Sequence, residues 1–319
     1  MSITRRAALA APLIGLSGAA LAQAPGGTHL IIPYAAGGAS DVVGRIALDG
    51  MVSRLGGNVI MEHRAGASTT IAARHVARAR PDGHTLLLGT VVTFTMAPLA
   101  LREPGFDPLA DFTHMTQTCE VESLIIANPR HASLEALMEA ARRRPGELTY
   151  SSWGVGTSAH LTMLELLRRA NLDMLHVPFN GAPAALTEVI SGRVDCMVIL
   201  VAAGRGHVEA GRVRALASVM TERIAVMPNV PTVAEMGFPG FSGGGWFSVQ
   251  GPPGMEPGLA RRIGTAVSDA FHDPANQEHM RNRGLVKAEP GPEALVARIR
   301  RELEQNRELM SRAGITPGA

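Results

Sequence analysis

The sequence predicts an α/β protein whose largely parallel sheets divide into two lobes. Three observations point there. Short apolar runs alternate with segments of helical periodicity, and glycine, proline and asparagine mark the junctions between them. A chain of 319 residues, 46% of them apolar, is also long enough to fill two hydrophobic cores. The first strand is expected over 29–33. The helix after it, over 40–55, turns Val43, Ile46, Ala47, Gly50 and Leu55 toward one face and stops at Gly56-Gly57. A strand over 58–62 leads through Arg64-Ala65-Gly66 to a helix over 68–80, and Pro81-Asp82-Gly83 turns the chain into a strand over 84–89. A strand over 123–128 opens a second α/β stretch, with further strands over 148–152, 175–179, 194–200 and 215–220. The chain crosses back over 246–252, and helices over 257–273 and 292–307 close the fold. Residues 23–122 and 226–319 are expected to form one lobe and 123–225 the other, with no low-complexity tract or solenoid-length repeat.

The N-terminus carries an address. Arg5 and Arg6 precede a charge-free run from Ala7 to Leu21 that is too short to span a bilayer, and Ala20-Leu21-Ala22 has the small-residue pattern of a cleavage site. Residues 1–22 therefore read as a signal peptide. Thr4-Arg5-Arg6 followed by Ala7-Ala8-Leu9 leaves both Sec and twin-arginine export open, and either route leads to the periplasm. No cysteine lies near the cleavage point to take a lipid, and no later stretch is apolar for long enough to be a membrane helix, so a soluble mature protein is expected. Arg5 and Arg6 account for the formal charge of +2, which leaves the mature chain neutral and argues against nucleic acid as a partner. Cys119 and Cys196 are either a disulfide permitted by export or two buried thiols.

Three strand-to-helix junctions share one physical design. They are Tyr34-Ala35-Ala36-Gly37-Gly38-Ala39-Ser40-Asp41, Ser151-Ser152-Trp153-Gly154-Val155-Gly156-Thr157-Ser158 and Pro178-Phe179-Asn180-Gly181-Ala182-Pro183. In each, glycine lets a ligand approach the main chain, and the amides and positive dipole end of the following helix suit an anion. The plainer reading is three tight turns in which Ser40, Asp41 or Thr157 caps a helix. Gly154-Val155-Gly156-Thr157-Ser158-Ala159 also has the form of a dinucleotide fingerprint, but Asp173, at the right distance for the ribose acid, falls before the next strand rather than at its end. No nucleophile elbow, zinc helix or phosphate loop is present, and His272 with His279 lacks companion ligands. No enzyme chemistry, cofactor or metal is expected.

Longer motifs resemble those of the substrate-binding receptors of tripartite tricarboxylate transporters, the Bug-type receptors. They run Ile31-Ile32-Pro33-Tyr34-Ala35-Ala36-Gly37-Gly38-Ala39-Ser40-Asp41, then Glu62-His63-Arg64-Ala65-Gly66-Ala67, then the stretch from Pro81 to Thr90. Ser152 to Leu161, His176 to Gly181, Met227 to Gly237 and Trp246 to Pro252 continue the likeness over nearly the whole mature chain. The resemblance implies a type II periplasmic-binding-protein-like fold, with a ligand cleft between two α/β lobes that close on a small organic carboxylate and then meet a membrane permease. It implies one wall made by Tyr34, Ala36, Gly38, Ser40, Asp41 and Thr90, and an opposite wall made by Ser152, Gly156, Thr157, His160, Asn180 and Gly181. Asp41 is expected to order its loop and cap its helix rather than meet an anion, since like charges repel. A monomer is expected because such a receptor opens and closes freely; use of the same fold for sensing is the alternative. The chain departs from the family pattern at Ala35-Ala36, where a double proline is usual, at Trp153, where a small residue is usual, and at Ile199, where a polar one is usual. The last two point to a smaller or more apolar pocket, suited to an aromatic or short-chain monocarboxylate.

Overall fold

The computed structural model describes residues 27–36, 38–179, 181–312 and 314–316, so the expected signal segment 1–22 and Asn180 lie outside the described residues. The chain starts with β1 (Thr28–Ile32), α1 (Ala39–Leu55), β2 (Val59–His63), α2 (Thr70–Ala77) and β3 (Thr85–Thr90), and β1 pairs in parallel with both β2 and β3. A π-helical turn over Val92–Met96 runs into the short α3 (Ala97–Ala100). Then come β4 (Thr113–Val121), β5 (Ser123–Ala127), α4 (Leu134–Arg143), β6 (Thr149–Ser152), α5 (Ser158–Ala170), β7 (Leu175–Pro178), α6 (Ala182–Ser191), β8 (Cys196–Leu200), α7 (Val201–Glu209) and β9 (Arg214–Ser218). The chain ends with β10 (Gly245–Gly251), α8 (Pro257–His272), α9 (Pro274–Arg281), β11 (Leu285–Lys287) and α10 (Pro292–Arg312).

Two mixed sheets result. One has the order β11-β4-β10-β3-β1-β2 and the other β7-β6-β8-β5-β9. The parallel strands carry near-continuous apolar runs because helices cover both faces. On the first sheet, Leu30 and Ile32 pack with Val43 of α1 and Val267 of α8, while Ile31 and Leu87 face Val76 of α2 and Leu295 of α10. On the second, Ile125 and Tyr150 pack with Leu137 of α4 and Met163 of α5, and Leu124 and Ile199 face Leu186 of α6.

The passage from the first sheet to the second takes one residue. Glu122 is buried there, its N–H donating to Gly284 O at 2.7 Å and its carbonyl accepting from Val201 N–H at 2.9 Å. The return is longer. Thr232 bridges to Ser218, Val233 and Phe241 sit in the core of the second sheet, and Gly243 N–H donates to Val219 O at 2.8 Å before β10 begins.

The expected helix over 68–80 is shorter than predicted. Ala67, Ser68 and Thr69 take positive φ values of 44°, 50° and 75°, so regular α-geometry starts only at Thr70. Cys119 and Cys196 are both free and buried, in the cores of different sheets. Burial pushes the Cys119 thiol up to about 12 and raises that of Cys196 as well. No helix among the described residues is long and apolar enough to cross a membrane.

Candidate ligand cleft

Parallel strands deliver their following loops to one edge of a sheet, and the first wall forms where β1 and β3 end. Tyr34 is half-buried, with its hydroxyl 3.5 Å from Thr90 Oγ1. Thr90 is wholly buried, lies 3.0 Å from Thr93 Oγ1 and accepts from Thr93 N–H at 3.2 Å. Burial raises the Tyr34 pKa, so the phenol stays neutral. Ala36 and Gly38 are exposed on the loop and Ser40 is buried beneath it. Gly38 is the N-cap of α1, and a glycine has no side chain with which to satisfy first-turn amides. Asp41 accepts a 2.7 Å bond from His63 Nε2, which ties α1 to the end of β2 and turns the carboxylate toward the protein.

The second wall forms where β6 and β7 end side by side, with Ser152 opposite Pro178 and Phe179 N–H donating to Ser152 O at 3.0 Å. Ser152 is fully buried and its hydroxyl is used locally, 2.9 Å from Gly154 O and 2.7 Å from His176 Nε2. Thr157 is the N-cap of α5 yet does not cap it. Its Oγ1 donates to Gly154 O at 2.7 Å instead, so the capping role open to it from sequence is not the one it takes. Gly156 N–H donates to His160 Nδ1 at 3.0 Å. Gly181, at φ 106°, is the N-cap of α6. Side chains cap three other helices, Ser133 on α4, Glu256 on α8 and Asp273 on α9, whereas α2, α3 and α7 have no such cap. The three helix starts at the cleft are led by residues that provide no such bond.

Leu161 draws the two walls together, for it packs in one cluster with Val91 and Phe94 just beyond Thr90. His63, His176 and Thr93 were not singled out from sequence. His63 and His176 lie inside motifs that were quoted, and Thr93 just beyond one, but nothing in the sequence shows whether such a side chain faces a loop or solvent.

Of three residues weighed from sequence, Ile199 departs from expectation, Trp153 packs partly inside, and Asp173 stands where the sequence put it. Ile199 does not narrow the pocket; it is fully buried under α7, where a Cβ added to Gly204 would lie 2.7 Å from its Cγ2. Trp153 is half-buried against both cores of the second sheet. Asp173 lies at the N-terminal end of β7, where Gly146 N–H donates to its carbonyl, far along the strand from the glycine loop that a dinucleotide would need it to face. A cavity of about 720 Å³ lies between α5, α10 and the crossing strands, lined by Val91, Gln117, Glu120, Leu161, Arg298 and Glu302 among others; none of the expected site residues borders it.

The sequence pattern of the tripartite tricarboxylate transporter family receptor matches residues 43–315. The chain belongs to that family. Among its relatives is the UPF0065 protein in the tcbD-tcbE intergenic region of Pseudomonas sp. (strain P51), 34% identical over 88% of this chain and 84% of that protein. Rpa4515 of R. palustris, solved with adipate, superposes with a TM-score of 0.77 at 27% identity over 92% of this chain and 99% of that one. The periplasmic binding protein BugD gives a TM-score of 0.74 at 28% identity over 92% of this chain and 100% of that one. The two sheets are thus the two lobes of a type II periplasmic-binding-protein-like fold. This is a family of transporter receptors, not of enzymes.

Proposed function

We propose that this receptor is exported to the periplasm by its N-terminal signal, binds a small organic carboxylate between its lobes as a monomer, and delivers it to the membrane permease of a tripartite transporter. Tyr34, Ala36, Gly38, Ser40, Asp41 and Thr90 line one side of the site, and Ser152, Gly156, Thr157, His160, Asn180 and Gly181 the other. Ser40, Asp41 and Ser152 shape the loops from below, while amides, Tyr34 and His160 face the ligand. The lobe division expected from sequence, 23–122 with 226–319 against 123–225, is proposed with one adjustment: the contacts of Thr232, Val233 and Phe241 favour a return crossing near Gly243.

One observation carries the reading. The helices that open onto the cleft start on Gly38, Thr157 and Gly181, none of which puts a side chain over its helix end, and such an uncovered positive end suits an anion. Adipate in the related Rpa4515 makes a dicarboxylate the first ligand to try, with one carboxylate toward α1 and the other toward α5 and α6. The test is a thermal-shift screen of protein from Gln23 onward against adipate and other mono-, di- and tricarboxylates, aromatic acids, amino acids, NAD and NADP. A ligand that binds only the native state raises the melting temperature, by an amount that grows with concentration. A response to carboxylates supports the proposal, and a response confined to the dinucleotides overturns it.

A further inference from the structure

Beneath the second glycine loop three rings form a stack that reaches outward from β6. Tyr150 and His176 have centroids 4.9 Å apart, and His176 and His160 lie 3.8 Å apart and only 9° from parallel. Both imidazoles also bond the loop, His176 at its first residue through Ser152 Oγ at 2.7 Å and His160 at its middle through Gly156 N–H at 3.0 Å.

These bonds allow the protons to be assigned. Gly156 N–H can only donate, so His160 Nδ1 holds a lone pair and the ring proton sits on Nε2. Ser152 has a single hydroxyl proton, and Gly154 O, 2.9 Å away, can only accept it. With the Thr157 hydroxyl on one lone pair of Gly154 O and the Ser152 hydroxyl on the other, His176 Nε2 is assigned as the donor toward Ser152. Both rings are neutral Nε2–H tautomers, as expected for two imidazoles in face-to-face contact, where two positive charges would repel at short range.

We infer that His176, which the family resemblance did not single out, is a positioning residue of the carboxylate site: its Nε2–H locks Ser152, and its ring holds His160 so that Nε2–H is the donor His160 can offer. This rests on the proposed cleft. It has a clear consequence for chemistry, since the second wall then recognises an anion with neutral donors aimed in advance rather than with a mobile cation.

Two readings test it, and the first needs no ligand. In protein labelled with ¹⁵N-histidine at pH 7, long-range proton–nitrogen NMR spectra are expected to show His160 and His176 both as Nε2–H tautomers. An Nδ1–H tautomer at His176 would mean that Ser152 donates to it, and would overturn the inference even if carboxylate binding is confirmed. The second compares His176→Phe, which keeps a stacking ring without the donor, with His176→Gln, which keeps a donor. Against adipate, or the strongest-binding acid of the screen above, the Phe variant is expected to bind at least about tenfold more weakly at nearly unchanged melting temperature, and the Gln variant to recover most of that loss. A Phe variant that binds like the parent overturns the positioning role. If no acid binds any variant, the proposed function fails while the tautomers still decide the inference.

Discussion

A methyl group placed on Gly38 would meet nothing nearer than Ser40 Oγ at 3.8 Å, and its φ of −99° is open to any residue. Gly38→Val is therefore expected to fold normally and to lose carboxylate binding by tenfold or more, measured by titration calorimetry. Gly156 differs, because its φ of +73° strains every other side chain, so Gly156→Val should lose about 1–2 kcal/mol of stability as well as ligand. The comparison separates occlusion of the cleft from damage to the loop. Asp195 shows the cost of a buried charge at residue scale. Burial alone would raise its pKa, but bonds from Thr149 N–H, His131, Arg130 and the Thr149 hydroxyl outweigh that and hold the carboxyl below its usual range. Asp195→Ala should destabilise by about 3 kcal/mol at pH 7 in urea melts, leaving those donors without a partner. His160 works in the other direction. Burial, with His176 beside it, lowers its pKa to about 4, so the native state resists protonation more than the unfolded chain does. Its contribution is complete above about pH 6.5 and is lost as the pH falls toward 4, roughly 2–3 kcal/mol in all. Parent and His160→Gln melts should therefore diverge as the pH rises through that window.

At the scale of elements, α1 and α8 pack closely because Gly50 has no side chain. A Cβ there would lie 2.6 Å from Ala270 Cβ and 2.8 Å from Ala266 O. Alanine would gain up to about 1 kcal/mol in helix propensity, yet the clash with rigid backbone should outweigh it. Gly50→Ala is expected to be less stable by about 1–2 kcal/mol, and an increase in melting temperature would show that the helices can separate at little cost. Elements with an apolar signature were legible in the sequence: β1, β3, β5, α1 and α8 fall within a residue or two of expectation. β4 was not, because Thr116, Gln117 and Thr118 are polar residues buried among neighbouring strands, a burial that only the assembled sheet imposes. α4 was overlooked although Ser133, whose side chain accepts from Ala136 N–H, is the sort of start signal that a sequence displays. The start of α2's expected span failed for a different reason, since nothing in Ala67-Ser68-Thr69 announces three left-handed residues in a row.

For the whole molecule, the division into two sheets was readable from the order of strands and helices, and the glycine loops fall at the strand ends where the proposed site opens. How the loops are locked was not, since His63 and His176 act through partners 22 and 24 residues away in sequence. Glu122, between the sheets, adds a pH dependence to the assembly. Burial pushes its pKa up to about 7, so it is protonated in the native state where the unfolded chain is ionised. Its contribution is present below about pH 4.5 and is lost as the pH rises through 7. Glu122→Gln should thus gain stability over the parent between pH 4.5 and 7, reaching about 3 kcal/mol in denaturant melts. A constant difference across that range would mean that water reaches the carboxyl in solution.

The two connections between the lobes are unequal. One is a single residue, Glu122, pinned on both sides by main-chain bonds, and the other passes through Ser242-Gly243-Gly244-Gly245. The second is held as well, Gly243 donating to Val219 O and accepting from Thr162 Oγ1, each at 2.8 Å, so motion between the halves should turn on 121–123 and 243–245 together. Such a pivot makes the protein a small optical gauge. Dyes at Ile71 and Leu175, exposed positions on different lobes, should change their energy transfer when a carboxylate binds and recover it when the acid is dialysed away.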